Sequence, residues 1–166
     1  VTGKSDWLGK KAMDSNEWVH VLTKHEILEI DAALQHCLTR GVSIEALTKD
    51  EFPLSKILEL IKKIQTQLED GWGIFLIRGL PTEPYTKEQL RLIYWGLGLH
   101  LGTAVSQSKR GDLLGDVRDL GTPLDGPKFR GYTSSGELTY HADAADVTGL
   151  FCLRTAKIGG LSRIVS

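Results

Sequence analysis

The chain changes character near Gly102, and that change limits the folds open to it more than any other feature. Before it, apolar residues recur at helical spacing between recognisable helix starts and stops. After it, Gly, Ser, Asp and Pro crowd around short strand candidates. Thr23-Lys24-His25-Glu26 has the form of a capping box, a Thr N-cap with Glu three residues later. Ile27, Ile30, Leu34, Cys37 and Leu38 follow at helical spacing, and Gly41 closes that helix. Pro53 is expected in the first turn of a second helix, where its missing N–H costs nothing. Leu54, Ile57, Leu58, Ile61, Ile64 and Leu68 give its apolar stripe, and Gly71 its stop. A second capping box, Thr86-Lys87-Glu88-Gln89, opens a helix through Leu90, Ile93, Tyr94 and Leu97, whose end Gly96, Gly98 and Gly102 punctuate.

Strand signals are fewer before the change. Residues 1–17 read as a polar arm, with Trp18 to Leu22 as a short strand after it. Gly73 to Pro81 is a continuous apolar run bounded by Gly and Pro, which suits a strand buried on both faces. Beyond Gly102 the candidates are Leu113 to Arg118, Glu137 to Asp143, Val147 to Arg154 and Leu161 to Ser166, with Lys157-Ile158-Gly159-Gly160 as a turn. Helices first and antiparallel strands afterwards argue an α+β fold. At 166 residues, one domain is the expectation.

Composition excludes several functions. A formal net charge of −1 offers no basic footprint for nucleic acid. No apolar run approaches a membrane span, and Val1-Thr2-Gly3-Lys4-Ser5-Asp6 lacks the apolar core of a signal peptide. Cys37 and Cys152 lie in no CxxC, so two reduced thiols in the cytoplasm are expected. The Gly-rich run at 73–81 lacks the G-x-G-x-x-G and Walker patterns, so it supports no phosphate loop. A start without Met and an abrupt end at Ser166 lead us to expect a piece of something longer.

The residues with the most chemistry are His141 and Asp143, in Glu137-Leu138-Thr139-Tyr140-His141-Ala142-Asp143. On an extended chain these two side chains share a face while Ala142 points away. An imidazole and a carboxylate so placed can share a metal ion. With a second histidine from elsewhere they would form the two-His-one-carboxylate triad of non-haem iron(II) oxygenases. The plainer alternative is a strand end whose His and Asp are solvated or hydrogen-bonded. His25 and His36, on the first capped helix, read as solvated side chains.

The stretch from Ser135 to Asp143, then Asp146 to Ser162 with its Ala156-Lys157 and Gly159-Gly160 pairs, resembles the taurine dioxygenase-like (TauD/TfdA-like) family. The Gly-Ile-Phe-Leu-Ile-Arg-Gly-Leu run at 73–80, the helix after it and the Gly102 to Gln107 region agree in order, so the resemblance covers roughly residues 70–166. It implies an iron(II)- and 2-oxoglutarate-dependent dioxygenase with N-terminal helices packed on a partial double-stranded β-helix, or jelly-roll, core. Dioxygen and 2-oxoglutarate would be cosubstrates, and a small organic substrate would be hydroxylated with release of succinate and carbon dioxide. By the same resemblance His141 and Asp143 are metal ligands and Ser162 binds the side-chain carboxylate of 2-oxoglutarate. Ala142 departs from the family's usual Thr or Ser, but it points away from the metal. Related iron halogenases lack the carboxylate, so Asp143 favours hydroxylation.

The family's distal histidine and its 2-oxoglutarate-binding arginine match nothing here. His20, His25, His36 and His100 all precede the motif, and Arg163 falls on the opposite strand face from Ser162. Residues 1–166 are therefore expected to be the N-terminal part of one oxygenase domain, ending before those two residues. Gln107, Arg130 and Tyr132 precede the metal strand and are polar enough to line its mouth as substrate contacts. Unpaired core strands would expose edges to a partner, which allows a homo-oligomer. Two rival functions remain: a catalytically incomplete fragment acting as a non-catalytic α+β domain, and a cupin-like protein using another divalent metal.

Overall fold

Thr23 starts the longest helix by a reciprocal cap: its hydroxyl accepts from the Glu26 N–H at 3.3 Å, and the Glu26 carboxylate accepts from the Thr23 N–H at 2.6 Å. The computed structural model describes residues 3–107, 111–112, 114–118 and 138–166. Its elements, in chain order, are α1 (Gly9–Met13), β1 (Val19–Val21), α2 (Lys24–Arg40), α3 (Leu58–Glu69), β2 (Leu76–Arg78) and α4 (Lys87–Leu101). Contacts divide the chain into two units, Val1–Thr103 with Leu150–Ser166, and Ala104–Gly149.

The first unit holds the core. Ile30, Ala33, Leu34 and Cys37 of α2 meet Leu60, Ile61 and Ile64 of α3 and Leu90 and Ile93 of α4, with Leu47, Phe52 and Ile57 filling between them. Every one is buried, as expected for apolar stripes of helices packed on one another. A smaller cluster joins Trp7, Ala12 and Trp72 at the amino-terminal arm. There the Trp7 indole N–H donates to the Trp72 carbonyl at 2.9 Å, and the Trp72 indole to Glu17 at 3.0 Å.

Strands β1 and β2 pair in parallel, with Val19 opposite Leu76 and Val21 opposite Arg78. Two parallel neighbours need a crossover connection, and α2 and α3 supply it. The segment 73–81 was expected to be a strand buried on both faces. Only Leu76–Arg78 pairs, and Ile77 and Arg78 are exposed, because no third strand covers the open edge among the described residues.

Two helix boundaries also differ from expectation. Pro53 lies outside α3, which begins at Leu58 with no side-chain cap of its own. The turn before it is held by Glu29 of α2, whose carboxylate accepts from the Ser55 and Lys56 N–H groups. Helix α4 runs through Gly96 and Gly98 to Leu101. At Gly96 a Cβ would stand within 2.7 Å of three ring atoms of Phe52, so glycine there admits the ring into the core rather than ending the helix.

The helix-rich half agrees with an α+β class. The antiparallel strands expected after Gly102 are not formed among the described residues, and the one described sheet is parallel and two-stranded. Residues 138–166 are exposed apart from Phe151. A strand is held by lateral hydrogen bonds to neighbours, and the described residues offer these segments none. Leu113 and residues 119–137, which include part of the strand candidates at 113–118 and 137–143, lie outside the described residues.

Candidate metal site

His141 and Asp143 belong to the second unit, and both are exposed. His141 Nδ1 lies 2.8 Å from the Thr139 carbonyl oxygen. A carbonyl only accepts, so Nδ1 carries the proton, and in the neutral ring Nε2 keeps its lone pair. Metal-bound histidines commonly hold their other ring nitrogen in this way, because the bond fixes the tautomer and orients the ring. Thr139 is a part of the site that the H-x-D pattern alone does not reveal. The donor set, one imidazole Nε2 and one carboxylate, fits a first-row divalent metal such as iron. Among the described residues, no three His, Cys, Asp or Glu side chains converge to complete a cage.

Ser162 belongs to the first unit and is exposed. Just before it Gly159 and Gly160 take φ values of 73° and 68°, left-handed conformations that favour glycine, where Lys157–Gly160 was expected to turn and the structure has a bend at 157–158. A Cβ on Gly160 would also meet that of Ala156 at 2.7 Å. Gln107, in the second unit, is exposed. Its backbone N–H donates to the Asp112 carbonyl at 2.8 Å, and its side-chain amide to the Val105 carbonyl at 3.1 Å, so both are engaged in the local loop. Arg130 and Tyr132 lie outside the described residues.

The other histidines hold structural positions or face solvent. His20 on β1 meets the Glu26 carboxylate at 3.0 and 3.1 Å. Burial raises the Glu26 pKa, but hydrogen bonds from the Thr23 backbone and hydroxyl and from His20 outweigh it and hold the carboxyl below its usual value. His36 stands 3.9 Å from Glu51, which Arg40 engages through both Nε and Nη2 at 2.7 and 3.2 Å. His100 donates to the Phe52 carbonyl at 2.8 Å, and His25 is exposed. The Cys37 thiol, donating to the Glu51 carbonyl, is pushed up in pKa by burial and then by the Glu51 charge.

Comparison with known proteins gives the site its context. The family described as taurine catabolism dioxygenase TauD, TfdA matches residues 38–166, which include His141, Asp143 and Ser162. The chain belongs to the TauD/TfdA family. FR-33289 synthase from Streptomyces rubellomurinus is 35% identical over 167 residues, covering 100% of this chain and 49% of that protein. The taurine hydroxylase-like protein SAT17 of Stachybotrys chartarum is 22% identical over 167 residues, covering 96% of this chain and 43% of that protein. The chain thus spans about half the length of the curated relatives it matches. The family resemblance read from residues 135–162 holds.

Proposed function

We propose that this chain carries the metal-binding part of an iron(II)- and 2-oxoglutarate-dependent dioxygenase that hydroxylates a small organic substrate. The observation that carries this reading is the TauD/TfdA family match over residues 38–166, which takes in His141 and Asp143, and the Nδ1 contact of His141 with Thr139 leaves the lone pair on Nε2 in the neutral ring. His141 and Asp143 would hold the iron, with the third protein ligand coming from outside these 166 residues. When bound, iron with 2-oxoglutarate supplies the oxidation, and succinate and carbon dioxide leave. Ser162 would donate its hydroxyl hydrogen bond to the distal carboxylate of 2-oxoglutarate, an anionic acceptor that strengthens such a bond.

Gln107 and Tyr132 remain proposed substrate contacts, with Gln107 released from its bond to Val105 when substrate binds. The fold belonging to this function is the jelly roll, with 137–143, 147–154 and 161–166 as core strands. The family match supports it. Among the described residues no helix is long and apolar enough to cross a membrane. Free Cys37 and Cys152 suit the reducing cytoplasm that we propose as the compartment.

Anaerobic addition of iron(II) and 2-oxoglutarate to the full-length protein tests the reading. A visible charge-transfer band that His141→Ala abolishes is the expected result. A folded protein that binds iron but gives no band with 2-oxoglutarate would refute the cosubstrate and favour a metal protein of cupin type.

A further inference from the structure

We draw no further inference here: the strongest candidate, the open hollow of about 570 Å³ against Trp72 in the amino-terminal arm, has Lys10 and Lys11 on its walls beside Asp14 and Glu17, and nothing in the structure shows which ligand or partner would fill walls of both charges.

Discussion

Gly96→Ala and Gly98→Ala are the same substitution in the same helix, and the structure assigns them opposite signs. Both sites lie inside α4, where replacing glycine by alanine ordinarily stabilises by about 1 kcal/mol because the unfolded chain loses less freedom. At Gly98 nothing lies within 4 Å of an added Cβ, so the full gain should appear. At Gly96 the methyl would enter the ring of Phe52, which is 0% exposed. The ring has little room to retreat, because the Phe52 carbonyl is held by His100 at 2.8 Å. Overpacking of a close-packed core costs about 1–3 kcal/mol, and three ring atoms within 2.7 Å place this site at the upper end. Set against the propensity gain, Gly96→Ala should lose about 2 kcal/mol, a fall in Tm of about 4–8 °C for a chain of this size. Gly98→Ala should raise Tm by about 2–4 °C. Urea and thermal denaturation of the two variants side by side give the answer. In a Phe52→Leu background the penalty at Gly96 should shrink, since the two sites are in contact and their effects do not add. Equal stability of the two single variants would refute the packing of Phe52 against α4.

His141→Ala and Asp143→Ala should each abolish the anaerobic charge-transfer band of the full-length protein and lower iron affinity at least about 100-fold, if two of three protein ligands are as proposed. A surviving band in either variant would remove that residue from the ligand set. Glu26→Gln should still close the capping box, as Gln89 does in α4, and should cost only the worth of a negative charge in the first turn, about 0.3–1 kcal/mol at neutral pH. The folded pKa of Glu26 lies below its ordinary value of 4.5, so its carboxylate stabilises the fold above that value. That contribution is lost as pH falls from 4.5 through the folded pKa, and the difference between Glu26→Gln and wild type should close over the same range in acid denaturation. A thiol reagent should modify exposed Cys152 quickly and buried Cys37 only on unfolding. Two equally fast thiols would contradict the burial of Cys37 between α2 and the Glu51 carbonyl.

The parts of the fold that could be read from sequence are those decided within a few residues. Both capping boxes are made by residues three apart, Thr23 with Glu26 and Thr86 with Gln89, and both are formed. The stripe of α2 is likewise set by local spacing. The start of α3 could not be read in this way, because Glu29 of α2 caps the turn from far upstream and overrides the local signal of Pro53. Gly96 has the sequence signature of a helix end. Its true role depends on Phe52, which only the packed core brings to it. The H-x-D spacing and the Gly159-Gly160 pair are patterns of the same local kind, and at the second the structure has two left-handed glycines. Neither pattern revealed that a carbonyl two residues before His141 would settle its tautomer.

If His141 ligates iron as proposed, its contact with Thr139 is the part of the site that a short stretch of chain prepares alone. Selecting which ring nitrogen keeps its lone pair needs only a nearby carbonyl, and residues 139–141 provide it. Tight ligation needs two further things that no short stretch can give. A third donor must converge from elsewhere, and water must be displaced so that the metal's attraction for Asp143 is not screened. Leu138, Tyr140 and Val147 flank the pair and are 48%, 63% and 52% exposed. These are the side chains that paired strands would bury, so the same pairing that covers them would also dry the site. On the iron site and jelly roll proposed above, completing the sheet would also complete the metal site, and iron binding should be linked to the folding of this half of the chain.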